Sequence, residues 1–316
     1  MLVAQGIYQI QLPLPFPLRI VNSYVLRDGE GWTIIDTGIN YPAGRSAWLA
    51  ALAKLEIAPK TIQRIILTHA HPDHYGMAGW LAEQSSAPVQ LAPLEQEFVR
   101  TAWHVGAANE QAIVDLFQAH GMPAELAEPV RHSMAETRAM TLPWPATRTI
   151  EPGGVVQIGA RRFQVIATPG HSDQHLVFYC AEERLLLCGD AVLIKITPNI
   201  SLWPHGRPDP LADYFHSLDL LAALPVDLAL PGHGPLIRAF GERVAELRAH
   251  HHERLAIMEQ AVGCGATAFS ICTAVFPTTA LSPHQLRFAM AETLAHLEYL
   301  VGIGQLERNG GIFRRS

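Results

Sequence analysis

Thr68-His69-Ala70-His71-Pro72-Asp73-His74 is the stretch that decides the reading, because it packs three imidazoles and a carboxylate into the six residues from His69 to His74. It follows Gln63-Arg64-Ile65-Ile66-Leu67, an apolar run that reads as a buried strand, so the histidines emerge where a strand ends and a loop begins. Loops at strand ends are where scaffolds present chemistry. Imidazole nitrogen with carboxylate oxygen suits zinc and its first-row neighbours, whereas magnesium or calcium favours an all-oxygen shell. In so short a loop His69 and His71 can grip one ion while Asp73 and His74 face a second.

Three distant segments repeat the pattern of apolar strand, small or glycine residue, then His or Asp. Phe163-Gln164-Val165-Ile166-Ala167 runs into Thr168-Pro169-Gly170-His171, Leu185-Leu186-Leu187-Cys188 into Gly189-Asp190, and Leu228-Ala229-Leu230 into Pro231-Gly232-His233-Gly234. One Gly-His or Gly-Asp marks an ordinary turn. Four such junctions in this order describe one edge of a sheet sharing one metal site.

With these residues in place the chain resembles a metallo-β-lactamase-fold hydrolase, in the broad group that includes glyoxalase II. The family's H-x-H-x-D-H, later single His, bridging Asp and final His match His69, His71, Asp73, His74, His171, Asp190 and His233. The resemblance covers residues 1 to 240 and implies an α+β fold, an αββα sandwich of two mixed sheets with helices outside and a dinuclear site at one edge. It further implies that His69, His71 and His171 hold one ion, Asp73, His74 and His233 the other, and that Asp190 bridges them. The Ile34-Ile35-Asp36-Thr37-Gly38 segment matches the family's early strand and turn, where the Asp orients ligands. The cofactors implied are two divalent metal ions, zinc first, with iron or manganese permitted by the same ligand types.

Two adjacent dications stabilise hydroxide and draw the pKa of a bridging water towards ~7. That provides a nucleophile without Ser or Cys, and no Gly-x-Ser-x-Gly elbow is present. Asp73 is a candidate to relay a proton, and so the catalytic residue. His71 stands where oxygen-reducing flavodiiron relatives carry an acid, which argues against redox di-iron chemistry, and the enlarged insertion of the nucleases that process messenger RNA ends is not evident. His175, four residues after His171, reads as structural because the ligand set is full without it.

The chain of 316 residues is long enough for one large domain and a small one. Hydrophobic content of 49% and charged content of 16% exclude disorder. A net charge of −6 and a pI near 6.2 give no global attraction to nucleic acid. Cys180, Cys188, Cys264 and Cys272 are scattered without a C-x-x-C and read as reduced small hydrophobes. Pro13, Pro15 and Pro17 interrupt the opening, and no apolar run approaches ~18 residues, so neither export nor membrane spanning is indicated and cytoplasm is the expectation.

The opening alternates in three β segments, at Ile7–Leu12, Val21–Leu26 and Trp32–Ile35, as a meander does. An α-rich insertion is expected from about 95 to 134, with Asn109 as a helix N-cap and Trp103, His104 and Phe117 as residues that line a pocket or fill the core. Lys195 and Arg207, near Asp190 in sequence, are the candidates to recognise an anionic substrate tail. Residues 241 to 316 form a second unit, with helices at 242–262, 272–280 and 283–300 and a hairpin around Asn309-Gly310. Helices followed by a hairpin suggest a winged helix and resemble the C-terminal domain of the lactamase-β-2-like branch. Seven Arg and no Lys against seven Glu make that unit formally neutral, unlike a phosphate-binding module. His250-His251-His252 on one helix point in different directions, which argues against a metal site there.

Two functions therefore compete. The first is a metal-dependent hydrolase of a small-molecule thioester or ester; the second is a single-stranded RNA endoribonuclease, disfavoured by charge and by the lack of an aromatic-lined basic groove. A metal-sensing regulator fits poorly with a complete hydrolytic ligand set.

Overall fold

Alternation along the strands sorts side chains into three layers of core. The structure, a computed structural model, describes residues 1–316. One seven-stranded sheet runs in chain order through β1 (Leu2–Ala4), β2 (Ile7–Pro13), β3 (Ile20–Asp28), β4 (Gly31–Ile35), β5 (Ile62–Ile66), β6 (Val89–Leu91) and β7 (Thr147–Thr149). β1 to β4 are antiparallel, the expected meander, and β4 to β7 are parallel. The second sheet has β8 (Val155–Ile158), β9 (Arg161–Ala167), β10 (Leu176–Cys180), β11 (Leu185–Gly189) and β12 (Leu228–Pro231) in the order β12-β11-β10-β9-β8. Its neighbours are antiparallel except β11 and β12.

Along β10 the period of two is plain. Leu176, Phe178 and Cys180 turn inward to meet Tyr24, Leu26 and Ile66 of the first sheet, while Val177 and Tyr179 turn outward to the helices. The outer face of the first sheet, including Val25, Ile34 and Ile65, is covered by α1 (Pro42–Lys54) through Trp48 and Leu52. The short helix α2 (Pro72–Tyr75) and α3 (Ala78–Ser85) follow on that side. The result is the αββα sandwich. No helix is long and apolar enough to cross a membrane.

The insertion is helical, from α4 (Pro93–Phe98) through a π-helical turn (Val99–His104), α5 (Ala107–Ala119) and α6 (Ala124–Ala139), so it reaches beyond the expected 134. Asn109 lies inside α5 and does not cap it; Gly106, at φ 63, supplies the left-handed turn that lets the helix start there. After α7 (Pro210–Ala222), capped by the Asp209 side chain, the C-terminal segment forms α8 (Phe240–Val262), β13 (Ala266–Thr267), α9 (Ala268–Val275), α10 (Pro283–Gly302), β14 (Leu306–Asn309) and β15 (Ile312–Arg315). The three strands pair in the order β13-β15-β14.

The helix expected at 272–280 is displaced to α9, where the Thr267 hydroxyl caps its start. Pro277 forces Phe276 into extended backbone and ends it. The Ser282/Gln285 capping box starts α10. Residues of α5, α6, α7, α8 and α10 share one continuous core with the outer face of the second sheet, so the C-terminal segment packs as a wall of the sandwich.

Candidate metal centre

Strand ends and the short helix α2 bring the predicted residues to one place. His69 and His71 follow β5, Asp73 and His74 sit on α2, and His171, Asp190 and His233 follow β9, β11 and β12. Possible ligand atoms of His69, His71 and His171 lie within 4.8 Å of one another, as do those of Asp73, His74 and His233, and those of His69, His74 and Asp190. Asp190 Oδ2 stands among them, 3.4 Å from His74 Nε2, 3.6 Å from His171 Nε2 and 3.3 Å from His233 Nε2.

Hydrogen bonds on the far side of each ring set the tautomers. Asp36 accepts from the Thr68 backbone N–H on Oδ1 and from the Thr68 hydroxyl on Oδ2, each at 2.8 Å, and Oδ2 also accepts from His74 Nδ1 at 2.8 Å. With its own proton committed, the Thr68 hydroxyl accepts from His69 Nδ1 at 2.9 Å. His171 Nδ1 donates to the Asn199 carbonyl at 2.9 Å, and His233 Nδ1 to the Ile20 carbonyl at 2.8 Å. Four imidazoles thus carry their proton on Nδ1 and turn the Nε2 lone pair inward. His69 Nε2, His74 Nε2, His233 Nε2 and Asp190 Oδ1 are buried there with no hydrogen-bond partner, and His71 Nδ1 meets His171 Nε2 at 3.0 Å. Buried lone pairs facing one another are what a cation satisfies, so the donor set fits metal ions.

The protonation pattern agrees. Burial first, then neighbouring imidazoles, holds His69 well below the ordinary histidine range; His71 lies well below it for the same reasons. Burial also opposes charge on His74 and His233, but the Asp190, Asp36 and Asp73 carboxylates around them outweigh it and hold His74 well above the ordinary range. Asp190 and Asp73 likewise raise His233 to about 10. A bound dication would take the place of those protons.

Residues that the sequence reading did not single out hold the frame. Glu95, 1% exposed, accepts from Ala70 N at 2.8 Å and Gln174 N at 2.9 Å, tying the His71 loop to the His171 loop. Asn22 Nδ2 donates to the Pro231 and Gly234 carbonyls on either side of His233, each at 3.0 Å. His175, expected to be structural because the ligand set is full without it, accepts on Nε2 from the Asp190 N–H at 3.1 Å. At Gly232 an added Cβ would lie 2.2 Å from Asp190 Oδ1, so the close approach requires glycine.

A cavity of about 460 Å³ opens onto His71, Asp73, His171, Asp190 and His233. Trp103 lines it and donates from Nε1 to the Ala70 carbonyl at 3.1 Å. His104 lies exposed outside it against Trp144, and Phe117 is fully buried core. Both basic residues expected to read a substrate tail are misplaced by the sequence argument. Lys195 is exposed and outside the cavity lining, although its neighbours Leu193 and Ile196 line it, and Arg207, also outside it, is paired with Asp213. The one arginine of the lining is Arg287, on α10, and no lysine lines it.

A metallo-beta-lactamase superfamily model matches residues 16–233. The chain belongs to the metallo-beta-lactamase superfamily. Residues 255–314 match the metallo-beta-lactamase-like C-terminal domain. The crystal structure of a metallo-beta-lactamase family protein from Thermus thermophilus is similar at a TM-score of 0.90 and 36% identity, over 99% of this chain and 100% of that one. A probable metallo-hydrolase of Bacillus subtilis is 26% identical over 317 residues, 95% of this chain and 93% of its own. An atrochrysone carboxyl ACP thioesterase of Aspergillus fumigatus is 25% identical over 235 residues, 74% of this chain and 57% of its own. This superfamily member is a hydrolase, with His/Asp clusters suited to divalent metal.

Proposed function

We propose that the protein is a dinuclear metal-dependent hydrolase of thioesters or activated esters. The observation that carries the reading is the set of inward-facing, unpartnered Nε2 and carboxylate atoms on the floor of a cavity walled by Phe98, Trp103, Trp203 and Phe288. His69, His71 and His171 would hold one ion, Asp73, His74 and His233 the other, and Asp190 both; we assign zinc, with iron or manganese compatible with the same donors. Bound there, the pair supplies an acidified water as nucleophile and Lewis-acid polarisation of the scissile carbonyl.

The chain's own part is positional. Asp36, through Thr68 and His74, keeps two rings in the ligating tautomer. Asp73, which retains 20% side-chain exposure to the cavity, accepts the proton released on attack and returns it to the leaving thiol or alcohol. The thioesterase similarity supports an acyl substrate. RNA is disfavoured by a lining that has a single arginine and no lysine and that includes the acids Glu97, Glu110 and Asp173. We read the C-terminal helix–strand–helix–helix–hairpin unit as a winged helix used as a wall of the pocket.

The test is turnover of metal-replete protein on a small thioester panel and on labelled single-stranded RNA, with Asp190→Ala as control. Thioester cleavage lost in the control supports the reading. RNA cleavage with the same control behaviour, and none of the thioesters, refutes it.

A further inference from the structure

Arg287 enters the cavity from the first turns of α10 and is 9% exposed, yet it forms no ion pair and no hydrogen bond, and its Nε is buried without a partner. Burial lowers its pKa to about 10, which leaves it charged at neutral pH. A buried, unpaired cation costs free energy that folding alone gives no reason to spend. Its surroundings show how it is held. The guanidinium carbon lies 4.4 Å from the centre of the Phe288 ring and 5.7 Å from that of Trp203, so aromatic faces support the charge while its N–H groups stay uncommitted. One turn earlier, His284 stacks on Phe16 at 4.4 Å and an interplanar angle of 8°, with Nδ1 buried and also unpartnered. Both side chains line the cavity that contains the metal cluster.

We propose that Arg287, assisted by His284, is an oxyanion receptor for a carboxylate or phosphate borne by the acyl substrate, so that the enzyme prefers acyl compounds carrying an anionic group along with apolar surface. This rests on the acyl-hydrolase reading above. The planar fork of a guanidinium binds either anion in two parallel hydrogen bonds, and its uncommitted donors are free to do so. The aromatic rings of the same cavity accommodate the apolar body of the substrate. Asp73, whose charge reaches both Arg287 and His284, makes its close contact elsewhere, with His233 at 3.2 Å.

The test compares kcat/KM within two matched pairs of thioesters. Hexanoyl and adipoyl thioesters of N-acetylcysteamine share chain length and differ in a terminal carboxylate. Acetyl thioesters of pantetheine and phosphopantetheine differ in a phosphate on the leaving-group side. The charged member of one pair is expected to be favoured about ten-fold or more, as a charge-assisted bidentate contact provides. The pair that shows the preference identifies the source of the anion. Arg287→Met should bring that ratio towards one, Arg287→Lys should retain part of it, and Lys195→Met, an exposed charge outside the cavity, should leave it unchanged. No preference in either pair, or one that survives Arg287→Met, overturns the proposal. If no thioester is cleaved at all, the acyl reading fails by itself. The receptor is then judged by calorimetric binding of adipate, hexanoate and inorganic phosphate to the isolated protein: Arg287-dependent tighter binding of adipate over hexanoate, or of phosphate, supports it, and equal binding by wild type and Arg287→Met overturns it.

Discussion

Asp36→Asn isolates what the carboxylate behind the metal cluster does. The wild-type carboxylate accepts three hydrogen bonds at 2.8 Å each, from Thr68 N, Thr68 Oγ1 and His74 Nδ1. Asparagine keeps the shape and tolerates the left-handed backbone at this position, where φ is 60. Its one oxygen still serves the Thr68 N–H, but its NH2 then faces two groups that also donate. His74 relieves the clash by moving its proton to Nε2, the atom 3.4 Å from Asp190 Oδ2, and so loses the lone pair turned into the cluster. Each hydrogen bond to a charged acceptor is worth about 1.5–3 kcal/mol. Loss of such a ligand-orienting partner typically weakens metal affinity about 10–100-fold, or roughly 1.4–2.8 kcal/mol. Competition against a chromophoric chelator should show metal affinity weakened by that amount, with turnover lost at limiting metal and partly recovered in excess. Asp36→Asn with metal held within two-fold of wild type would refute the tautomer argument.

Three further outcomes follow from the geometry. Gly232→Ala places a Cβ 2.2 Å from Asp190 Oδ1 and 2.7 Å from His74 Cε1, so both side chains must shift. Turnover should fall about 100-fold, as ångström-scale misplacement of reacting groups does, with an unchanged circular dichroism spectrum; near-normal turnover would show that the cluster yields to the added methyl group without losing its arrangement. Glu292 is raised to about 7, chiefly by burial, from an ordinary 4.5. Between those values the unfolded chain has released the proton that the folded chain keeps, so rising pH destabilises the fold across that window and has no further effect through this group above it. Glu292→Gln should therefore gain stability over wild type as pH rises from 4.5 to 7, by roughly 2–3 kcal/mol; urea midpoints that track wild type at every pH would contradict this. Chelation should lower Tm in wild type, since ligand at about 1,000 times its Kd stabilises by about 4 kcal/mol, and should do so less in Asp190→Ala; equal shifts in both would remove Asp190 from the cluster.

The strands and the histidine-bearing junctions were legible because their signals are local. Alternation in Ile7–Leu12 and the unbroken apolar run before Thr68 each need only a few neighbours to read, and both are strands or strand ends in the structure. Helix boundaries read less well where a single residue outweighs the pattern, as Gly106 does before α5 and Pro277 after α9. Glu95 carried no signal in sequence. An acid in the first turn of a helix is ordinary, and only the approach of Ala70 and Gln174 to its two oxygens makes it a tie between loops. Arg287 carried a faint one, as a charge on a helix stretch otherwise made of Leu286, Phe288, Ala289 and Met290.

Strand period, turn residues and donor chemistry are properties of short segments, so the strands and the His- and Asp-bearing junctions could be read from the chain itself, while the sandwich and the part given to Asp36 came from the resemblance that those junctions carry. Which charge faces the substrate cavity could not be read in either way. Lys195 and Arg207 follow Asp190 closely in the chain yet stay outside the cavity lining, whereas Arg287 lies far from Asp190 in sequence and shares its cavity. The physical reason is that a pocket is made by packing separate elements together, and the packing of α10 against α6, α7 and the second sheet is a long-range matter of shape and burial that no window of residues contains.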